Sequence, residues 1–200
     1  MGANPKAGSI YSWMCSTMVG IFNLWVFYLG GYIIAYSIQV WANRKRGEPF
    51  DDPEFLTPRI YIPAFIWIIG GFVISLFVTL DFGILFYIGL SVSAIGMAIG
   101  ILALVSFANS PGLTTTRIHK YSRNPVYVGW IVFFLGLTLI GWSESIWSLV
   151  FLLYLVITVP YLHWTILLEE SFLVSKYGES YQMYLSTTPR YLGIPKKQEP

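Results

Sequence analysis

"RNPVYVGWIVFFLGLTLIGWSE", residues 123–144, places 20 uncharged residues between Arg123 and Glu144. Only its first residues are polar, and the remainder is typical of a membrane helix, since roughly 20 apolar residues cross about 30 Å of hydrocarbon. Four more uncharged runs occupy 7–43, 60–80, 82–116 and 145–168. We therefore predict an all-α integral membrane protein, with helices at about 13–40, 60–80, 82–107, 125–141 and 145–168. The fourth is short, so helices four and five form a hairpin that either crosses the membrane or enters it without fully crossing.

The composition supports a membrane protein and excludes several other classes. Of the 200 residues, 56% are hydrophobic and 11% are charged, against about 25% charged in globular proteins. The mean hydropathy is +0.63. The net charge of +2 indicates no nucleic-acid partner. A single cysteine, Cys15, excludes an internal disulfide and a cysteine cluster for zinc.

The basic residues predict an orientation. With five crossings, eleven of the twelve lysines and arginines fall on one side, and only Lys6 lies opposite. Because basic loops stay in the cytoplasm, we expect a multi-pass protein of the cell membrane with the N-terminus outside and the C-terminus cytoplasmic. No cleavable signal peptide is predicted. The chain reads as one membrane domain, 1–200, in which 1–108 holds three helices and 109–200 the catalytic core.

Most of the polar chemistry lies in two segments, 109–130 and 163–191, which flank the helix four–five hairpin and so meet at the cytoplasmic face. Segment 109–116, "NSPGLTTT", suits a carboxylate or a ribose, and equally a plain loop. No GxGxxG or P-loop pattern is present, so a Rossmann site is not indicated. Without HxxxH or HExxH spacing we predict no metal. Glu169 and Glu170 are either functional or a topology marker.

The stretch "RNPVYVG" resembles the R-[HN]-P-x-Y-x-G motif of the isoprenylcysteine carboxyl methyltransferase family and its relatives, which include the phospholipid N-methyltransferases. The second signature of that family is a Glu-Glu pair at the end of the last helix, followed by [FY]-G and Y-x-x-Y. Here it reads Glu169-Glu170, Tyr177-Gly178, Tyr181 and Tyr184. The three tyrosines also share one face of an amphipathic helix lying on the membrane or on the protein. The chain is identified as a short prokaryotic member.

The resemblance implies S-adenosylmethionine bound at the cytoplasmic end of the last two helices. The cofactor-binding residues it implies are Pro111, Gly112, Leu113, Thr114, His119, Asn124, Pro125, Tyr127 and Gly129. The catalytic residues it implies are Arg123, Glu169 and Glu170. One glutamate, with Glu170 favoured, would contact the cofactor or the reacting centre, and the other would be a solvated residue at the helix end. Arg123 can hold a carboxylate with paired hydrogen bonds.

Three residues, Trp130, His163 and Thr165, are expected at the substrate. Thr165 stands where the isoprenylcysteine enzymes have an arginine for the substrate carboxylate. The expected reaction is methyl transfer to a lipophilic acceptor from the membrane, a prenylcysteine-like α-carboxylate on a small molecule or peptide. A carboxylate needs no base, whereas a thiol would need His163 or a glutamate. The alternatives are an NADPH-dependent reductase of the sterol type and a non-enzymatic transporter or scaffold.

Overall fold

Helices make up nearly all of the part that the structure, a computed structural model, describes: residues 20–47 and 57–195. They are α1 (Trp25–Arg46), α2 (Pro58–Phe77), α3 (Ile84–Ala108), a 3₁₀ turn (Arg117–Lys120), α4 (Pro125–Ile140), α5 (Ile146–Tyr177) and α6 (Glu179–Thr187). Within these ranges the only β-pairing is an isolated bridge between Asn23 and Thr79. The all-α prediction is confirmed. The first part of predicted helix one, 13–19, with Cys15, lies outside the described residues.

Three helices, α2, α3 and α5, are long and apolar enough to cross a membrane. Helix α4 is apolar but has 16 residues, which makes it about 24 Å long and shorter than a bilayer core. Pro125 occupies its first turn, where a missing N–H leaves no donor without a partner. The five crossings and the orientation of the termini stay predictions.

Glycines bring α3 and α4 into backbone contact. A Cβ on Gly96 would overlap the backbone nitrogen of Phe133 and lie 2.7 Å from the carbonyl oxygen of Gly129. A Cβ on Gly89 would lie 2.6 Å from the backbone nitrogen of Ile140. Small residues permit such close approach between helices in a bilayer. Helix α4 is thereby fixed along α3.

The predicted limits of the first helix are wrong at both ends. It begins at Trp25 because the preceding residues pair with the end of α2. Asn23 donates to the carbonyl of Leu76 at 2.5 Å, and the Leu24 N–H donates to that of Val78 at 2.9 Å. The helix continues past residue 40 to Arg46 and ends at Gly47, whose φ of +74° suits glycine.

The predicted end of the fifth helix is also wrong. Helix α5 runs nine residues past 168, to Tyr177, so both glutamates lie inside it. Gly178, with φ of +56°, turns the chain into α6. Tyr181 and Tyr184 of α6 are buried, and the Tyr184 hydroxyl donates to the carbonyl of His119 at 2.6 Å. The prediction that Tyr177 shares one helix face with Tyr181 and Tyr184 is wrong, because Tyr177 ends α5 and Gly178 separates it from α6. Tyr181 and Tyr184 pack against the protein.

Candidate functional site

The Glu170 carboxylate is held by two arginines and an asparagine. Glu170 is 6% exposed. Arg123 donates from Nε at 3.2 Å and lies 3.1 Å away through Nη2. Asn124 Nδ2 donates at 3.1 Å, and Arg190 donates from Nε and Nη2 at 3.1 and 2.9 Å. A buried carboxylate is stable only with such partners. The carboxylate that the Arg123 fork holds is therefore Glu170.

This cluster fastens the C-terminal tail to the start of α4. Arg123 Nη1 also donates to the carbonyls of Leu185 and Thr188, at 2.6 and 3.0 Å. Asn124 Nδ2 donates to the Arg190 carbonyl at 3.2 Å. The hydrogen bond to Glu170 raises the pKa of the Arg190 guanidinium above its usual value. Arg123 and Asn124 thus hold the tail against the start of α4.

Glu169 points to a different neighbour. Its Oε2 accepts a hydrogen bond of 2.7 Å from the Tyr127 hydroxyl, and its side chain is half-buried. Neither glutamate is the solvated helix-end residue that the sequence led us to expect. Glu170 has all its oxygens engaged by the tail cluster, whereas Glu169 shares its carboxylate with one tyrosine among the described residues.

A cavity of about 330 Å³ opens between the helices on the other side of Tyr127. Aromatic side chains dominate its wall, which is lined by Tyr32, Tyr36, Trp67, Tyr127, Trp130, Phe133, Phe134 and Tyr161, together with small and aliphatic residues and Gln39 and Thr165. Lysine, arginine, aspartate and glutamate are absent from the described residues that line it. Such a cavity suits an apolar or aromatic molecule. Tyr127 is part of this wall, and its hydroxyl donates to Glu169, which does not line the cavity.

The loop after α3 carries the residues expected at the cofactor. Pro111 and Gly112 are exposed, Leu113 is half-buried and Thr114 is 7% exposed. Gly112 has a φ of +66°, which favours glycine. Arg46 of α1 reaches this loop: its guanidinium donates to the Gly112 carbonyl and, at 3.2 Å, to Thr114 Oγ1.

His119 is buried in the 3₁₀ turn beyond that loop. It is 8% exposed, and its Nδ1 has no hydrogen-bond partner among the residues described. Burial, with the positive charge of Arg46 as the second cause, lowers the pKa of His119 to about 4. The imidazole is therefore neutral at pH 7, and Nδ1 is a buried polar atom whose hydrogen-bonding capacity is unused among the described residues.

Two of the three residues expected at the substrate line the cavity, and the third does not. Thr165 and Trp130 line the cavity. His163 lies outside its lining and contacts the Tyr191 hydroxyl of the tail through Nδ1. Gly129, expected to allow close approach, packs against Gly96 and Gly100 of α3: an added Cβ would meet their backbone atoms at 2.8 Å.

Arg46 and Arg190 were not among the site residues that we expected from the sequence. Arg46 had a readable signal, because Gln39, Asn43 and Arg46 recur at helical spacing on one face of an otherwise apolar helix. Arg190 had none, since its contact with Glu170 depends on the path of the tail. In the described ranges, no three residues among His, Cys, Asp and Glu are grouped to hold a metal ion.

Comparison with known proteins adds a family. Residues 82–180 match the family model described as phospholipid methyltransferase. The chain is 33% identical over 75 residues to a protein named methanethiol S-methyltransferase from Crocosphaera subtropica. This alignment covers 38% of this chain and 27% of that protein. Methanethiol S-methyltransferase 1 from Bradyrhizobium diazoefficiens is 31% identical over 77 residues, which covers 38% and 25%.

The aligned segment thus spans about a quarter of the length of these relatives. No solved structure matches the chain. The matched segment begins just before α3 and ends in α6, so it contains the loop, the start of α4 and both glutamates. The kinship expected from the two signatures is confirmed: residues 82–180 of this membrane protein belong to the phospholipid methyltransferase family.

Proposed function

We propose that this protein is an S-adenosylmethionine-dependent methyltransferase that methylates a lipophilic acceptor with a neutral reacting group, in the first place a thiol. One observation carries the proposal: Tyr127 lines the apolar cavity and donates to Glu169 at 2.7 Å. A proton acceptor is thereby coupled to the wall of an acceptor-sized cavity.

The loop and α5 fit the donor by their chemistry. S-adenosylmethionine carries a sulfonium, an ammonium, a carboxylate and an adenine. The half-buried Glu169 carboxylate suits a cationic group, and the His119 Nδ1 is a buried polar atom that needs a partner. We assign the carboxylate of Glu169, the imidazole of His119 and the loop 111–114 to the donor. When bound, the donor supplies an electrophilic methyl group.

The cavity favours a neutral acceptor over a carboxylate. An ionised carboxylate in an apolar cavity needs a cation close by. The described lining offers none, and Thr165 stands where the isoprenylcysteine enzymes have an arginine. Two relatives are named methanethiol S-methyltransferases, which supports sulfur as the accepting atom.

A thiol acceptor gives the Tyr127–Glu169 pair a task. Free thiols have a pKa of about 8.5 and are mostly protonated at pH 7, while the thiolate is the nucleophile. The acceptor S–H donates to the Tyr127 oxygen, and the tyrosine proton moves to Glu169 Oε2. A sulfur–methyl bond then forms on the acceptor as the methyl–sulfonium bond of the donor breaks, and S-adenosylhomocysteine leaves as a neutral thioether. The surrounding aromatic wall excludes water from the reacting sulfur.

The prenylcysteine carboxylate expected from the sequence is the second candidate. The observation that favours it is the size of the cavity, about 330 Å³, which accommodates a long apolar chain. In that reaction no proton is removed, so Tyr127 and Glu169 would serve binding alone. The two acceptors therefore predict different consequences of removing the Tyr127 hydroxyl.

Ligand binding tests the proposal against the reductase alternative. Purified protein in detergent is titrated calorimetrically with S-adenosylhomocysteine and, separately, with NADPH. We expect saturable binding of S-adenosylhomocysteine and no heat from NADPH. Binding of NADPH alone by folded protein would overturn the proposal.

A further inference from the structure

Helix α1, which lies outside the segment matched to the family, carries a polar stripe that ends at the cofactor loop. Gln39 lines the cavity, and its Nε2 donates to Asn43 Oδ1 at 3.0 Å. Asn43 is 6% exposed, and Arg46 follows one turn later on the same face. Burying a polar side chain costs free energy unless it is hydrogen-bonded, and these residues are linked by hydrogen bonds towards the loop.

Arg46 ties the end of α3 to the loop that follows it. Its Nη1 donates to Thr114 Oγ1 at 3.2 Å and to the Phe107 carbonyl at 3.5 Å, and its Nη2 donates to the Gly112 carbonyl. The guanidinium carbon stands 3.9 Å from the centroid of the Phe107 ring. The planar fork of an arginine makes several such bonds at once, which a lysine ammonium does not reproduce.

We propose that Arg46 is a positioning residue of the donor site, which holds loop 111–114 in the shape that binds S-adenosylmethionine. This inference rests on the proposed function. It extends the site beyond the family domain, because the first described helix then supplies part of it.

Two arguments favour positioning over general stabilisation. Two of the described hydrogen bonds of Arg46 end on the segment assigned to the donor, and a loop ordered before binding loses less entropy when the ligand arrives. The charge of Arg46 also adds to burial, the larger cause, in lowering the pKa of His119 to about 4, which favours the neutral imidazole. Arg44, two residues earlier, is exposed and provides a control with equal charge.

The test compares Arg46→Gln with Arg44→Gln, each of which removes one positive charge from the same helix end. Calorimetry with S-adenosylhomocysteine is expected to show binding at least about tenfold weaker for Arg46→Gln, the effect of one lost charged hydrogen bond, and unchanged binding for Arg44→Gln. In turnover, KM for S-adenosylmethionine rises while kcat is retained. Equal affinity of the two variants for S-adenosylhomocysteine overturns the inference.

Titration of His119 by NMR gives a readout that a merely structural role would not move. We expect the pKa of His119 to rise from about 4 towards the ordinary value in Arg46→Gln. In Arg44→Gln we expect the pKa of His119 to be unchanged. An unchanged His119 pKa in folded Arg46→Gln contradicts the electrostatic part of the inference.

Arg46→Lys serves if Arg46→Gln does not fold. It keeps the charge and loses the fork, so the pKa of His119 should stay while S-adenosylhomocysteine binds more weakly. Wild-type affinity in Arg46→Lys overturns the role of the fork. Failure of the wild-type protein to bind would refute the proposed function, whereas wild-type binding with no loss in the variants refutes only this inference.

Discussion

Tyr127 and Glu169 are separated by 42 positions in the chain, and the tyrosine hydroxyl donates to the carboxylate at 2.7 Å. The next residue, Glu170, faces Arg123 and Arg190 instead. Successive residues on a helix point about 100° apart, so a Glu-Glu pair divides its two carboxylates between two surroundings. One faces the cavity wall, and the other fastens the tail.

This division predicts that Glu169→Gln affects mainly the rate of methyl transfer and Glu170→Gln mainly the stability of the fold. Glu169→Gln should slow methyl transfer about ten- to a hundredfold, the effect of losing roughly 1.5–3 kcal/mol from a charged contact. Its unfolding temperature should stay near wild type, because the amide oxygen can still accept from Tyr127.

Glu170→Gln should instead lower the free energy of unfolding by about 3 kcal/mol, at the low end for a broken buried ion pair, because the Arg190 side chain is 36% exposed. Thermal unfolding and methyl-transfer rates, measured on both variants, decide. A Glu169→Gln variant with the wild-type rate would exclude Glu169 as the proton acceptor.

Removing the Tyr127 hydroxyl tests the proton path. Tyr127→Phe should lower the rate with a thiol acceptor about ten- to a hundredfold, while S-adenosylhomocysteine binds as before. Tyr121→Phe is the control, because Tyr121 is 51% exposed and no hydrogen bond is described for its hydroxyl. If the two variants turn over a thiol equally fast, Tyr127 does not relay the proton.

The packing of α3 against α4 makes a prediction about stability. In Gly96→Ala the new methyl group meets backbone atoms of α4, and overpacking of this kind costs about 1–3 kcal/mol or more. At Gly100, one turn later, a Cβ meets nothing within 4 Å, so alanine should be neutral or stabilise the helix by about 0.5–1 kcal/mol. Thermal unfolding in detergent distinguishes them, and equal unfolding temperatures would contradict the close helix contact.

Sequence predicted the site in outline because the site is built from local signals. Uncharged runs marked the helices, Pro125 marked the start of α4, and the two signatures flanked one hairpin. The contacts of Glu169 and Glu170 could not be predicted from the sequence, since they depend on the direction of the tail after Gly178. Likewise, α5 continues beyond its apolar run because Arg123 and Arg190 compensate the charge of Glu170. No sequence pattern predicts these two ion pairs.

The start of α1 was misplaced for a similar reason. Residues 22–24 belong to a long uncharged run, yet the Leu24 N–H donates to the Val78 carbonyl and the Phe22 carbonyl accepts from the Leu80 N–H. Pairing between segments so far apart in the chain leaves no local trace. Arg46 is an intermediate case. Its helical spacing from Gln39 and Asn43 is visible in the sequence, but its contact with the loop after α3 is not.

Labelling of single cysteines from each side of the membrane tests the predicted orientation. In a Cys15→Ser background, single cysteines at Lys120 and Glu144, both exposed, mark the two ends of α4. We expect an impermeant thiol reagent to label Glu144→Cys on intact cells and Lys120→Cys only after the cells are opened, because basic loops stay inside. The reverse pattern would place the site outside.

Transfer of a labelled methyl group tests the central claim most directly. Purified protein is given labelled S-adenosylmethionine with octanethiol or with a prenylcysteine analogue, and the products are separated. We predict label in the octyl methyl thioether, suppressed by S-adenosylhomocysteine, at a rate well above that for the prenylcysteine methyl ester. Label confined to the ester would contradict the thiol assignment, and protein that is folded yet labels neither acceptor would contradict the account of the Tyr127–Glu169 site.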